Sequence, residues 1–202
     1  MEIMTYTDNQ AVDRAVEILQ NGGVVIYPTD TLYGMGCDFQ NSQAISKVYN
    51  IKKISKRKPL SLLCKDLDQI SQYAQLSNSA FRLLKKLLPG PYTFILPATH
   101  AVPKILMNNQ RKVGIRVPDN PICLEIIERL GSPLLSTSAI YEGDTDDNDP
   151  QEIQKQYRDA DLLIDSGILE YSQSSVIDIS TIPPIVIRQG KGPIEQFIHL
   201  TN

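Results

Sequence analysis

The chain has 202 residues, of which 42% are hydrophobic and 21% are charged, and its formal net charge is −3. This is the composition of a soluble globular protein with enough apolar material for a core, and the length favours one domain over residues 1–202. No apolar run approaches the roughly 20 residues of a membrane-spanning helix, and the N-terminal residues MEIMTYTDNQ lack a signal-peptide pattern, so we expect a cytoplasmic protein without a membrane partner.

The first half of the chain predicts helices and strands in alternation. Apolar residues recur at helical spacing over 11–19, after a cap at Asp8 or Asn9, and again from a cap at Ser42 into a basic stretch. Predicted strands cover 24–27, 60–64 and 92–96, and further helices cover 67–74 and 79–88.

The second half of the chain is richer in strands. A helix over 121–130 has Asn120 as its cap, Pro121 in its first turn and Gly131 just past its end. Asp149 begins another helix, and strands are predicted at 113–117, 133–139, 162–164, 176–179 and 185–187. Early alternation followed by clustered strands predicts an α/β fold with a mixed parallel and antiparallel sheet.

Cysteine, histidine and acidic residues do not form a metal-binding pattern. Cys37, Cys64 and Cys123 are odd in number and lie far apart in apolar surroundings, which predicts buried free thiols instead of disulfides or a zinc site. The acidic run 142–152 does not have the spacing of a calcium loop, and we interpret it as a solvated loop and a helix start. We therefore expect no metal bound by the protein itself.

The loop after the first predicted strand, YPTDTLYGMGCD, carries Thr29, Asp30 and Thr31 followed by Gly34 and Gly36. Such loops at the carboxyl ends of strands are where open α/β sheets bind ligands. The same residues also suit a plain turn whose side chains bond to their own backbone, and both interpretations stay open. The glycines match neither the P-loop nor the dinucleotide fingerprint.

Two arginines lie in or at the end of apolar strands. Arg116 is in VGIRVP, and Arg188 is in IVIRQGKG. A charge among apolar residues is costly unless it is paired or directed at a ligand, so each side chain belongs to a structural ion pair or contacts an anion.

Positive charge is concentrated in one stretch of this acidic chain. Between Phe39 and Lys65 there are seven of the 20 basic residues and no acid, and the densest part is IKKISKRKPL. With a sequence pI near 5.4, any anion site must be local, so this stretch is either a solvated face or the wall of an anion site.

Seven segments taken in order resemble the YrdC/YciO family, whose best-known members are threonylcarbamoyl-AMP synthases, and in particular its YciO branch. The segments are GGVVIYPTDTLYG, IKKISKRKPL, LPGPYTFIL, VGIRVP, PLLSTSA, SSVID and VIRQGKG. The resemblance implies an open, twisted mixed sheet around a concave basic cavity. It also implies a reaction of L-threonine, bicarbonate and ATP, with Mg²⁺ as the counter-ion of ATP, that gives threonylcarbamoyl-AMP and pyrophosphate for tRNA modification.

The resemblance also implies roles for residues, and no protein nucleophile is expected among them. Thr31, with Thr29 beside it, would hold threonine, Arg116 would meet the substrate carboxylate or carbamate, and Thr93 would lie on the cavity floor. The residues implied to contact the nucleotide are Lys52, Lys56, Arg57, Lys58, Ser138 and Arg188.

Two positions depart from the synthase pattern. Synthases have K-x-R before the K-P-L segment and S-x-N after the P-L strand, whereas this chain keeps Lys52 and Ser138 but has Ile54 and Ile140. Two hypotheses follow. The first is a synthase-type enzyme, weakened by the two isoleucines. The second is a protein that binds double-stranded RNA, tRNA or rRNA in the same basic cavity without efficient adenylation.

Overall fold

The computed structural model describes residues 1–56, 58–107, 110–140 and 148–198, with the backbone alone for residue 198. The described strands are β1 (Glu2–Thr5), β2 (Val25–Tyr27), β3 (Gly34–Asp38), β4 (Ser61–Leu63), β5 (Tyr92–Pro97), β6 (Lys112–Arg116), β7 (Leu134–Ser138), β8 (Leu162–Asp165), β9 (Ser175–Asp178) and β10 (Ile185–Arg188). The described helices are α1 (Ala11–Gln20), α2 (Ser42–Lys52), α3 (Leu67–Tyr73), α4 (Asn78–Leu87), α5 (Pro121–Leu130), α6 (Pro150–Gln156) and α7 (Glu195–Ile198).

The strands form one open sheet in the order β1-β8-β2-β3-β7-β4-β6-β5-β9-β10. Pairs β1/β8, β2/β8, β4/β6 and β5/β9 are parallel, and the other five neighbouring pairs are antiparallel. The predicted α/β fold with an open mixed sheet is therefore confirmed. Among the residues described, none of the helices has the length and apolar character needed to cross a membrane.

Helix boundaries follow local capping signals. The side chain of Asn120 accepts a hydrogen bond from the backbone N–H of Cys123, Pro121 opens α5, and Gly131 ends it at φ 73°. The predicted cap of α2 was one residue late, because the Asn41 side chain accepts from two backbone N–H groups and Ser42 is already helical.

Strands β1 and β3 were missed by the sequence analysis. The glycines of β3, Gly34 and Gly36, were assigned to a loop, but a Cβ atom at Gly34 would clash with the ring of Tyr27 on β2, and one at Gly36 with the Leu135 carbonyl oxygen on β7 and the Tyr27 hydroxyl. The close backbone approach expected from these glycines is therefore to Tyr27 of the core and, at Gly36, also to the backbone of β7. A bulky partner on β2 is the reason for glycine in this strand.

Apolar layers lie on both faces of the sheet. On one face, α1 and α5 pack through Leu19, Cys123 and Ile127 onto strands β2, β7 and β8. On the other face, a larger cluster joins the sheet to α2, α3, α4 and α6. The cysteines are free and buried as predicted, and burial raises the pKa of Cys37 and of Cys123 to about 12.

Candidate functional site

A cavity of about 540 Å³ opens on the sheet face that α1 and α5 cover only in part. Its floor consists of residues at alternate strand positions, because successive side chains of a strand point to opposite faces. These floor residues are Gly34, Ser136, Ser138, Ser61, Leu63, Arg116, Gly114, Lys112, Thr93, Ile95, Val176 and Arg188.

The described lining of the cavity is strongly cationic. It contains six basic side chains and no Asp or Glu. The six are Lys52, Lys53, Lys58, Lys112, Arg116 and Arg188. The lining also carries eight Ser and Thr side chains, so hydroxyl groups alternate with the positive charges. Such a surface attracts anions and offers them hydrogen bonds from several directions.

Eight of the ten site residues named in the sequence analysis line this cavity. They are Thr29, Thr31, Lys52, Lys58, Thr93, Arg116, Ser138 and Arg188. Lys56 is exposed and does not line the cavity, although Lys53 and Lys58 from the same segment do. Arg57 falls outside the described residues.

The Thr29–Asp30–Thr31 loop is ordered by a chain of hydrogen bonds. Thr29 Oγ1 donates its proton to the carbonyl oxygen of Leu32 at 2.6 Å and accepts from the backbone N–H of Thr31. Since Thr29 has only one hydroxyl proton, Thr31 must be the donor in the 3.1 Å contact between the two hydroxyls. The turn interpretation and the ligand interpretation are thus compatible, because both threonines bond within the loop and still line the cavity.

Arg116 reaches the same loop from β6. Its Nη2 atom donates to Asp30 Oδ1 at 2.5 Å and to Thr31 Oγ1 at 2.9 Å. Both partners of the ion pair are nearly buried, with side chains 10% and 11% exposed. Arg116 was expected either to form a structural ion pair or to contact an anion. It forms an ion pair and also lines the cavity, so the two roles are compatible. We call Thr29, Asp30, Thr31 and Arg116 the Arg116 wall.

Arg188 lies on β10, the edge strand of the sheet, and also lines the cavity. It donates from Nε and Nη2 to the carbonyl oxygen of Ser174, at 3.0 and 2.9 Å, and Ser174 Oγ lies 3.0 Å from Thr93 Oγ1. Burial lowers the pKa of the Arg188 guanidinium, and the positive charge of Arg116 lowers it further. Two like charges that line one cavity are stabilised by an anion that binds there.

The two departures from the synthase pattern, Ile54 and Ile140, both line the cavity, and Lys52 near Ile54 bonds to the backbone of Ile140. Lys52 Nζ donates to the backbone carbonyl of Ile140 and to Tyr157 Oη, and lies 5.2 Å from the centre of the Tyr157 ring. Ile54 lines the cavity at the end of α2, and Ile140 does so just after β7. We call Lys52, Ile54, Ser138 and Ile140 the Lys52 wall.

Several lining residues were not predicted from the sequence, although strand periodicity indicates some of them. Lys112 lies four residues before Arg116, and Ser136 two before Ser138, so in each pair both side chains share a face. Ser61 and Ser174 gave no comparable signal. Lys112 is bound by Asp178 at 2.9 Å, and Ser136 Oγ accepts from Tyr27 Oη at 2.8 Å. In the described part of the chain, no three metal-ligating side chains lie together.

A model of a protein family, Sua5_yciO_yrdC with the description "Telomere recombination", matches residues 17–190. The chain belongs to the Sua5/YciO/YrdC family. Escherichia coli YciO, named as an uncharacterized protein, is 40% identical over 190 residues, which cover 93% of this chain and 92% of that protein. The crystal structure of E. coli YciO matches with a TM-score of 0.89 and 37% identity and covers 97% of both chains. The recognition of the family and its YciO branch is confirmed.

Other relatives in the family carry the name of the synthase or bind its amino acid. A putative threonylcarbamoyl-AMP synthase of Methanocaldococcus jannaschii is 40% identical over 182 residues, which are 89% of this chain and 85% of that one. The crystal structure of P. abyssi Sua5 complexed with L-threonine matches with a TM-score of 0.87 and 26% identity. That match covers 94% of this chain and 56% of the Sua5 chain.

Proposed function

We propose that this cavity binds L-threonine and ATP and that the protein forms threonylcarbamoyl-AMP and pyrophosphate from them with bicarbonate. The observation that carries the proposal is a cavity with six basic and eight hydroxyl side chains in a chain of the Sua5/YciO/YrdC family. L-Threonine in P. abyssi Sua5 and the synthase name of the M. jannaschii relative support the choice of substrate.

The reaction needs positioning and charge neutralisation more than a protein nucleophile. The amine of threonine adds to CO₂ and loses a proton to form a carbamate, or condenses with bicarbonate to the same carbamate with release of water. A carbamate oxygen then attacks the α-phosphate of ATP and pyrophosphate leaves, with Mg²⁺ as the counter-ion of the nucleotide. In the proposal, Arg116 meets the threonine carboxylate or the carbamate, and Thr29, Thr31 and Thr93 contact the amino acid. Lys52, Lys58, Ser138 and Arg188 contact the nucleotide, in a cavity whose basic side chains offset its negative charge.

The Lys52 wall sets the expected strength of the activity. Ile54 and Ile140 replace two polar groups of the synthase pattern, and both isoleucines line the cavity. A lost charge-assisted phosphate contact together with a lost hydrogen bond weakens binding or rate by about one to three orders of magnitude. We therefore propose a synthase-type activity that is slow relative to synthases with both motifs intact.

The test is release of pyrophosphate from ATP that depends on L-threonine and bicarbonate, with protein shown to be folded by circular dichroism. Arg188→Met should abolish the threonine-dependent signal, because it removes a cation from the cavity. Arg82→Met is the matched control, since Arg82 is exposed on α4 and lies outside the cavity lining. Pyrophosphate release that is independent of threonine, or equal loss in both variants, would contradict the proposal.

RNA binding is the second candidate, and the exposed lysines at the cavity rim favour it. Lys53, Lys56 and Lys58 are all exposed in the segment between α2 and β4. If this segment binds duplex RNA, Lys53→Glu with Lys56→Glu should weaken binding and flatten its dependence on salt. The matched control is Lys85→Glu with Lys86→Glu, two exposed neighbours on α4. Equal binding by both double variants would remove this candidate.

A further inference from the structure

The ion pair between Asp30 and Arg116 is incomplete in a specific way. Only Nη2 of the guanidinium donates to the carboxylate, at 2.5 Å from Oδ1, and the same Nη2 also donates to Thr31 Oγ1. Asp30 Oδ2 and Arg116 Nε are both buried and have no hydrogen-bond partner among the described residues. Such groups are rare in folded proteins because each costs free energy, so a pair of them side by side needs an explanation.

The two atoms without partners are a donor, Arg116 Nε, and an acceptor, Asp30 Oδ2, of two side chains that already share one hydrogen bond. An arginine binds a carboxylate most strongly through two parallel N–H···O bonds, and Nε with Nη2 forms one edge of the guanidinium that can do so. At Asp30 one bond of this fork is present and the other is not, while the second N–H group of Nη2 donates to Thr31. A small rotation of the guanidinium would complete the fork and release the Thr31 hydroxyl.

The position of Asp30 suits this role. Its backbone carbonyl accepts a hydrogen bond from Lys191 Nζ at 3.0 Å, which holds the loop from the side of the segment after β10. Arg116 lines the cavity and Asp30 does not, so the carboxylate stands behind the guanidinium. Asp30 therefore acts on a ligand only through Arg116.

We infer that Asp30 is a positioning residue for Arg116. The Asp30 carboxylate holds one edge of the guanidinium, so that the remaining N–H groups of Arg116 meet an anion in the cavity. When the anion binds, it takes the place of Thr31 at Nη2, the fork between Asp30 and Arg116 closes, and the Thr31 hydroxyl turns to the ligand. The inference rests on the proposed function in one respect, because there the anion is the carboxylate or carbamate of threonine.

A positioning role and a purely electrostatic role of Asp30 predict opposite effects of its substitution on anion binding, and this allows a sharp test. Asp30→Asn leaves the cavity one unit more positive, so simple electrostatics predicts tighter anion binding. Positioning predicts weaker binding, by about tenfold or more, because a charge-assisted hydrogen bond is misdirected. Asp30→Glu keeps the charge and moves the carboxylate by one methylene, so a positioning role predicts weaker anion binding for this variant as well. This second variant tests the inference if Asp30→Asn folds poorly.

Asp178→Asn is the matched control. Asp178 is the carboxylate of the other buried ion pair on this floor, with Lys112 at the opposite end of β6, and its loss changes the charge of the region by the same amount. Calorimetry with L-threonine should give a dissociation constant at least tenfold higher for both Asp30 variants, and one that is not raised for Asp178→Asn. The dissociation constant for AMP should stay within about twofold in all three variants. Unchanged or tighter L-threonine binding in the Asp30 variants would overturn the inference.

A second readout separates this inference from the proposed function. The Arg116 Nε–H signal in a ¹⁵N spectrum, assigned by its loss in Arg116→Lys, is followed during a titration with inorganic phosphate. A phosphate-induced shift in the wild type that needs at least tenfold more phosphate in Asp30→Asn supports the positioning role, even if L-threonine does not bind and the proposed function fails. No shift in the wild type, or equal midpoints in both proteins, would overturn it.

Discussion

The two walls of the cavity differ in how their charges are satisfied. In the Arg116 wall, a guanidinium meets a carboxylate and a hydroxyl from a loop more than 80 residues away in sequence. In the Lys52 wall, an ammonium donates to a backbone carbonyl and a tyrosine hydroxyl, and two isoleucines complete the lining. The Arg116 wall therefore contains a buried ion pair, whereas the hydrogen bonds from Lys52 given above go to neutral acceptors and lie beside apolar side chains.

Because of this difference, substitutions in the Arg116 wall should mainly affect the stability of the protein, and substitutions in the Lys52 wall should mainly affect ligand affinity. A buried charge whose partner is removed is left without compensation, so changes in the Arg116 wall should affect folding first. Ile54 and Ile140 are uncharged, so replacing them leaves no buried ion without a partner and should cost less stability than a change at Arg116, even though Ile140 is only 4% exposed. The four predictions below test this contrast.

The largest effect is expected from Arg116→Gln. The change leaves Asp30 charged in a nearly buried position without its partner, which should lower the free energy of unfolding by about 3–5 kcal/mol. Urea denaturation followed by circular dichroism measures the loss. The double variant Arg116→Gln with Asp30→Asn removes both charges and should recover part of it. A single-variant loss below about 1 kcal/mol would show that the ion pair contributes little to folding.

The Lys52 wall should respond in affinity. Ile54→Arg with Ile140→Asn restores the two polar groups of the synthase pattern and should tighten ATP binding by about one to three orders of magnitude. Calorimetry with ATP and Mg²⁺ measures this change. Ile182→Arg is the control, because Ile182 is 97% exposed and outside the cavity lining, and it adds the same charge elsewhere. An unchanged affinity for ATP in the double variant would mean that the two isoleucines do not limit nucleotide binding.

Local signals predicted the elements but not the contacts that join the walls. Helix α5 was predicted almost to the residue because Asn120, Pro121 and Gly131 mark its ends without help from the rest of the chain. Strand β3 was missed because its glycines look like a turn until the ring of Tyr27 is known to lie against them. Short-range patterns cannot show that packing.

The same limit applies to the cavity. Arg116 and Arg188 were recognised because a charge among apolar strand residues is unusual at the level of sequence. That Asp30 is the partner of Arg116 could not be foreseen, since an ion pair across 86 positions depends on the order of strands in the sheet. For the same reason, the bond from Lys52 to the backbone of Ile140 left no trace in the sequence.

A smaller effect is expected where the two walls share a floor. A Cβ atom at Gly114 would lie 2.9 Å from Ser61 Oγ and 3.4 Å from Thr93 Cγ2, so Gly114→Ala overfills the floor and should cost about 1–3 kcal/mol of stability. Since the floor serves both walls, Gly114→Ala should weaken the binding of L-threonine and of ATP by similar factors. The double variant Gly114→Ala with Ser61→Ala removes the main clash and should recover stability in urea denaturation. If the stability does not recover in the double variant, the strain does not come from the contact with Ser61.

The smallest effect concerns the ion pair at the other end of β6, between Lys112 and Asp178. Burial raises the pKa of the Asp178 carboxyl, but hydrogen bonds from Ser180 and Lys112 outweigh it, so the net pKa lies below its ordinary value near 3.8. A lowered pKa in the folded state stabilises the protein above the unfolded pKa, and this contribution is lost as the pH falls through the folded value. Asp178→Asn should therefore cost about 1 kcal/mol at neutral pH, and the gap to wild type should narrow below about pH 4. Urea denaturation at pH 7, 4 and 3 measures it, and a gap that stays constant would show that this carboxylate is not stabilised by its partners.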